Sequence, residues 1–462
     1  WSSDVCSSDL IKTELTATHA MAVERYKFPR SISAALWVDF ASTFEDVATC
    51  QYKRVSDTCI EGYVQAKNVC GHGRYKLYFS LNTDQPFRLE EQKETTACLT
   101  FGKKVRAVEV RIGLSALSSE LASWECARWE KMDFAELKSQ TGNQWEKQLS
   151  AIDVKGGKKD DKVIFYTSLY RAYLSPADVS SPDGAYLGTD GKVYISEDFR
   201  YYSNWSLWDT FRTKFPLLVL TEPARMRDMA TSLIHLYATG KKDWSTGFES
   251  TPTVRTEHAV ILLLDAYRKG ITTLDFRKGY AGMKEEMERL PMRSPDQKME
   301  SAYDLWAMAQ IAEIIGEKAD SEQYGQRSVS LFEETWKKEF MNVTPAFEVM
   351  KNNGLYQGTR WQYRWAAPQY IDKMIEWVGQ DSLRSQLTYF FDHHLYNQGN
   401  EPDIHVPYLF NRLGAPEKTQ QIVRSLMTEP MIHKYGGNSE FKTPYLGKAF
   451  KNDPEGYSPE RS

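Results

Sequence analysis

The chain has 462 residues, 26% charged and 41% hydrophobic, with 58 Lys and Arg against 62 Asp and Glu and a formal net charge of −4. That length supplies core material for two or three globular domains. A pI of about 6.2 excludes a nucleic-acid binder that neutralises phosphates with a basic face, and a mean hydropathy of −0.55 without an apolar run of about eighteen residues predicts no membrane span.

The opening Trp1-Ser2-Ser3-Asp4-Val5-Cys6-Ser7-Ser8-Asp9-Leu10 switches abruptly to strand-like text and looks like translated adapter sequence. Residues 1–10 are therefore set aside as non-native, and the expectation is a piece of a longer enzyme. Apart from Cys6, the cysteines are Cys50, Cys59, Cys70, Cys98 and Cys126, a number that permits two disulfides and one thiol, or buried thiols throughout. None forms a CxxC pair with zinc spacing.

From Tyr26 to about Ser118 the text alternates between turns, as in Ala34-Ala35-Leu36-Trp37-Val38-Asp39-Phe40 and Arg74-Tyr75-Lys76-Leu77-Tyr78-Phe79-Ser80-Leu81. In 104–113, Val108, Val110 and Ile112 fall on one face and Glu109 and Arg111 on the other, a period of two. Residues 11–118 therefore read as an antiparallel β-sandwich, truncated at its leading edge. Residues 119–150 read as a helical linker, with Leu121, Trp124, Trp129, Leu137 and Trp145 near helical spacing.

Beyond it the period is helical. Phe276, Tyr280, Met283, Met287 and Leu290 step by four and three onto one face, and Ala259-Val260-Ile261-Leu262-Leu263-Leu264 is apolar all round, as in a helix covered on every side. Leu305, Met308, Ala312 and Ile315 stop at Gly316, a C-terminal cap. Pro368 and Pro416 suit first helical turns and Ser382 suits an N-cap. Helical pairs without intervening strands predict a toroid over residues 151–462, with the chemistry in its loops.

Three loop-like segments concentrate polar and aromatic groups, within a composition of 13 Trp, 26 Tyr and 21 Phe that suits sugar stacking and plain cores equally. In Tyr201–Arg212, Trp208 offers a stacking face beside Asp209 and Arg212, which can grip vicinal hydroxyls; an aromatic core turn with an Asp–Arg pair is the alternative. In Gly354-Leu355-Tyr356-Gln357-Gly358-Thr359-Arg360-Trp361, two glycines let the backbone turn and present Gln357, or else form a solvent hairpin. In Gly399-Asn400-Glu401-Pro402-Asp403-Ile404-His405, hard oxygen donors suit Ca²⁺ without the EF-hand pattern, and His405 suits a hydroxyl; a solvated acidic loop is the alternative.

Together these blocks resemble glycoside hydrolase family 92, calcium-dependent inverting exo-α-mannosidases. The match rests on Trp208-Asp209-Thr210-Phe211-Arg212, Trp244, Glu257-His258 with Asp265-Ala266-Tyr267, and Asn400-Glu401-Pro402 with His405 and Pro407-Tyr408, in order from Val105 to Glu460. The resemblance implies a truncated β-sandwich followed by an (α/α)6 barrel with an incomplete C-terminal end. It further implies Ca²⁺ held by Asn400 and Glu401, and a mannose-containing glycan contacted by Trp208, Asp209, Arg212, Trp244, His258, Tyr356, Arg360, Trp361, Glu401, Asp403 and His405. A periplasmic or secreted location is expected.

Two departures bear on mechanism. Gln357 stands where most similar chains carry the Glu that protonates the leaving oxygen, and a carboxamide cannot supply that proton. A phosphate leaves without one, so Gln357 points to the branch that acts on mannose-1-phosphodiesters; a degenerate acid in an ordinary α-1,2-mannosidase or in an inactive glycan-binding protein is the alternative. Inversion also needs a base roughly 6.5–9.5 Å from the acid. The resemblance puts that carboxylate beyond Pro459, where the text stops, and Asp453, Glu455 and Glu460 read as a surface loop.

Overall fold

The computed structural model describes residues 10–43, 46–67, 73–90, 93–241, 256–342, 354–398 and 401–429, with the backbone of two further short strands. Trp244, Asn400, Cys70, Asp453, Glu455 and Glu460 lie outside the described residues. The described chain forms a β-rich part followed by a mainly helical part, and it groups into two compact units that interleave in sequence. Trp1–Lys162, Ser175–Trp205 and Thr239–Val254 make one unit, and Val163–Leu174, Ser206–Ala238 and Arg255–Ser462 the other.

In the first unit the strands are β1 (Lys12–Ala17), β2 (Met21–Lys27), β3 (Ala35–Asp39), β4 (Val47–Arg54), β5 (Cys59–Lys67), β6 (Arg74–Thr83), β7 (Phe87–Glu90), β8 (Thr96–Phe101) and β9 (Ala107–Ser115). They form a six-stranded sheet in the order β1-β2-β9-β6-β5-β4 and a three-stranded sheet β3-β8-β7, all antiparallel. Register explains the shared core. Ile60 pairs with Leu81 and Leu81 with Ile112 across the first sheet, while Leu36 and Leu89 flank Leu99 in the second. All six side chains belong to one apolar cluster with Phe79, Val108 and Val110, so the period-two reading of 104–113 has its buried face where expected.

The opposite face of the large sheet is covered by α1 (Ser119–Arg128) and α2 (Phe134–Leu149), whose Cys126, Phe134 and Leu137 pack with Met21 and Val23. These two helices correspond to the predicted linker. Ser118 caps α1 and an Asp133–Glu136 capping box starts α2. A Cβ at Gly113 would sit 1.9 Å from the Ala122 carbonyl oxygen, so the absence of a side chain there sets how closely α1 rests on β9. Cys59 and Cys126 are buried thiols that contact Ser80, and burial pushes the Cys126 thiol up to about 11; Cys50 is also a thiol. These cysteines therefore pack as small apolar groups.

Next come α3 (Lys159–Ala172), the short strands β10 (Ala177–Asp178), β11 (Ala185–Leu187), β12 (Val193–Ile195) and β13 (Tyr202–Ser203), then α4 (Leu207–Thr210), α5 (Lys214–Thr221), α6 (Pro223–Thr239), α7 (Ala259–Arg268), α8 (Phe276–Met287), α9 (Pro295–Ile314), α10 (Lys318–Glu339), α11 (Arg360–Tyr363), α12 (Ile371–Val378), α13 (Gln380–Asp392), α14 (Leu409–Arg412) and α15 (Pro416–Thr428). β10–β13 correct the expectation of helices without strands: Pro176, Pro182 and a cluster of glycines and aspartates break that stretch into hairpin-sized pieces. α7 is buried around its whole circumference at 259–264, and α9 ends against Gly316 at φ +83°. Ser382 is not an N-cap. Gly379, at φ +86°, separates α12 from α13, which leaves Ser382 inside the first turn. Pro368 starts a 3-10 turn and Pro416 starts α15.

Candidate functional site

α9 crosses the helical unit with an apolar surface, including Met299, Ala302, Leu305 and Met308, each 0% exposed. Set into it at intervals of four are Asp296, Glu300 and Asp304, all buried. A buried carboxylate must find donors, and each of these finds them on a different segment.

Glu300 Oε1 accepts the Trp208 indole N–H at 2.7 Å and Arg212 Nη2 at 3.2 Å. Arg212 Nη1 also donates to the Trp208 carbonyl at 2.7 Å, and its guanidinium lies 4.3 Å from the Phe211 ring centre. The Trp208–Arg212 block is thus the short α4 and the turn after it, clamped to α9. This revises the open stacking face read from the sequence: Trp208 is buried and spends its N–H on Glu300, and Arg212 is already ion-paired. Asp209, half-buried, accepts from the Ser206 hydroxyl.

Asp304 Oδ1 lies 3.0 Å from His258 Nδ1, both side chains buried, and the His258 ring sits 4.6 Å from Phe211. Asp296 Oδ2 accepts the Tyr356 backbone N–H at 2.9 Å, which fixes the turn that carries Gln357. The Tyr356 ring meets Trp208 edge-on at 5.2 Å. Gln357 itself takes φ +48°, the left-handed region, which costs a non-glycine residue roughly 1 kcal/mol or more. Gly354 shares that region at φ +85°. Gly358 serves space instead: a Cβ there would stand 2.6 Å from the Tyr363 ring and 3.1 Å from Pro402. The Gln357 turn is therefore pressed directly against the Glu401-Pro402-Asp403 turn. A Thr359–Gln362 capping box then starts α11.

Of the remaining predicted residues, Arg360 pairs with Glu339 at 2.6 Å, and Trp361 stacks on Tyr389 inside the helical core. Glu401 and Asp403 are buried in a 3-10 turn rather than in a solvated loop. Burial pushes the Asp403 carboxyl well above the usual carboxylate range, opposed by the Asn397 backbone N–H and by Arg212. Its Oδ2 accepts Asn397 N at 3.1 Å, while Oδ1 is shielded and has no hydrogen-bond partner among the described residues. His405 is pushed down to about 4 by burial and then by the Arg212 charge, against the Trp365 carbonyl that favours its proton. That carbonyl lies 2.8 Å from Nε2 and can only accept, so Nε2 carries the proton and Nδ1 offers a lone pair.

Arg212 acts electrostatically on both Asp403 and His405. Residues 206–212, the Gln357 turn and the Glu401–Asp403 turn all belong to the second unit, and their described polar groups include a neutral imidazole acceptor, two buried acids and one guanidinium. Among the described residues no group of three or more His, Cys, Asp and Glu side chains is placed to hold a metal. Glu401 and Asp403 are nevertheless hard oxygen donors of the type Ca²⁺ takes, and the shielded Asp403 Oδ1 fits such a role. Reading by motif missed Glu300, Asp296 and Asp304, although acids recurring every fourth residue in an apolar helix carry that signal.

The family described as "Glycosyl hydrolase family 92 catalytic domain" matches residues 122–298 and 292–438, and its N-terminal domain matches residues 4–115, starting within the ten residues set aside above. Among solved structures, the GH92 family glycosyl hydrolase ccman5 aligns with a TM-score of 0.86 at 25% identity, over 98% of this chain and 69% of its own. A family GH92 alpha-mannosidase from Bacteroides thetaiotaomicron gives 0.78 at 23% identity, covering 93% of this chain and 65% of that one, and has also been solved with mannoimidazole. A family GH92 inverting mannosidase from the same organism gives 0.75 at 20%, over 90% and 67%. The chain thus spans about two thirds of each. No curated protein sequence matches it.

Proposed function

Since the chain belongs to glycosyl hydrolase family 92, we propose that it serves an inverting exo-α-mannoside hydrolase whose preferred substrates are mannose-1-phosphodiester caps on glycans. The observation that carries the finer reading is Gln357, a carboxamide held at φ +48° against the Glu401–Asp403 turn, where a general acid would be needed for an alkoxide to leave. A carboxamide donates a hydrogen bond but no proton. That suffices for a phosphate, which departs as a stable anion.

In this reading Gln357 and the Tyr356 hydroxyl hold the phosphoryl group, while Arg360 adds charge shared with Glu339. His405 Nδ1 accepts from a mannose hydroxyl, and Arg212, Asp209, Glu401 and Asp403 orient the ring, with His258, Trp208, Trp244 and Trp361 shaping or backing the pocket. Ca²⁺, held by Asn400 and Glu401, would supply polarisation of adjacent mannose hydroxyls. Such a substrate suits a periplasmic or secreted enzyme.

The test is competitive turnover by the full-length protein of mannosyl-phosphate-mannose against an α-1,2-linked dimannose. Faster release from the dimannose sinks the phosphodiester reading in favour of an ordinary α-1,2-mannosidase. Chelator-sensitive mannose binding without turnover of either points to a glycan-binding protein. Gln357→Glu should raise activity on plain mannosides if only the proton is missing.

A further inference from the structure

A helix rises about 1.5 Å per residue, so Asp296, Glu300 and Asp304 stand about 6 Å apart along one line of α9. Each holds one segment: Asp296 the Tyr356 backbone N–H, Glu300 the Trp208 indole and Arg212, Asp304 the His258 ring. Neighbouring segments then touch each other through rings, Tyr356 on Trp208 and Phe211 on His258. The result is a ladder: three acid rungs on one rigid helix, cross-braced on the far side by two aromatic contacts.

The rungs differ in what they hold. Glu300 and Asp304 grip side chains, which could relax by rotation. Asp296 grips a main-chain N–H in a turn without regular helix or strand pairing, one residue before a left-handed Gln357. A backbone anchor at that point decides which way the Gln357 side chain leaves the turn. The same turn is closed from its other side by the Tyr363 hydroxyl, which donates to the Tyr356 carbonyl at 2.5 Å.

We propose that the Asp296–Glu300–Asp304 row of α9 is the frame that spaces the sugar-binding segments, and that Asp296 is a positioning residue for Gln357. This rests on the mannoside reading only for the identity of the ligand. The frame itself makes a claim about backbone order.

The test combines amide hydrogen exchange at Tyr356 with mannoimidazole affinity, on wild type, Asp296→Ala and Asp296→Asn. In wild type the Tyr356 amide exchanges as slowly as the amides of α9; fast exchange there overturns the frame without any variant, whatever the variants' folding yield. In D296A its protection falls at least tenfold while Phe332 in α10 stays protected, and mannoimidazole binds at least tenfold more weakly. D296N, which keeps a carbonyl acceptor, recovers both to within about threefold. Unchanged Tyr356 exchange in D296A, or unchanged affinity, overturns the proposal. Failure of wild type to bind mannoimidazole would instead count against the mannoside reading, with the frame judged on exchange alone.

Discussion

Neutralising Glu300 should be among the most damaging single changes in the helical unit. The Arg212 and Glu300 side chains are 4% and 7% exposed, so solvent cannot replace the lost partner. Breaking a buried ion pair from one side costs about 3–5 kcal/mol, because the remaining charge is left uncompensated. Asp403 feels the same guanidinium, but burial drives it toward its neutral form, so it is a poor substitute anion. Glu300→Gln keeps volume and one acceptor for Trp208, which places its expected cost near the lower bound, about 3 kcal/mol; Glu300→Ala should approach about 5 kcal/mol. Urea unfolding of the full chain measures both. The diagnostic is the cycle of Glu300→Met, Arg212→Met and their double variant, which removes both charges at similar volume and should recover at least about 2 kcal/mol of the two summed single losses. A Glu300→Gln cost below about 1 kcal/mol, or strictly additive losses in the cycle, would refute the argument that this pair clamps α4 to α9.

Two further outcomes follow from the same geometry. Gly358→Ala drives a methyl to 2.6 Å from a fully buried Tyr363 and 3.1 Å from Pro402; the turn must yield, at about 2 kcal/mol, and mannoimidazole affinity should drop with it, so unchanged melting and affinity would contradict the contact. His235 is pushed down to about 4, first by burial and then by the Lys278 ammonium beside it. Its folded value lies below the unfolded value of about 6.5, so the unfolded chain takes up the proton first as pH falls. Stability from this site is whole above about pH 6.5 and is lost toward pH 4, and His235→Gln should flatten that decline in the urea midpoint; an identical slope in the variant would remove His235 as its source.

The parts of the fold legible from sequence are those where one residue's surroundings are set by its neighbours along the chain. Val108 and Val110 point inward because a strand alternates, and 259–264 is buried because no face of that helix is polar. Gly316 ends α9 because the left-handed turn there favours glycine. Ser382 failed by the same logic: a glycine three residues earlier took the boundary, and local propensity could not rank the two. The site was legible as blocks but not as contacts. Trp208 reads as a platform until Glu300, ninety-two positions away in sequence, claims its N–H. Gly358 reads as a hinge until Tyr363 and Pro402 occupy the space a side chain would need.

The acid row also bears on why Gln357 matters chemically. A carboxyl introduced at 357 would enter a half-buried turn whose Gly358 packs on Pro402, the residue between Glu401 and Asp403 in sequence, and would lie one residue from the amide that Asp296 holds. Burial and neighbouring acids both raise a carboxyl's pKa, which is the adjustment a general acid needs to keep its proton near neutrality. On the proposed mannoside reading, these surroundings would suit a carboxylic acid at 357 better than a solvated turn would. On this argument activity gained by Gln357→Glu on plain mannosides should fall off on an alkaline limb well above the usual carboxylate range. A limb in the ordinary range would mean that the new side chain points to solvent, and that the turn does not aim residue 357 at the Glu401–Asp403 side.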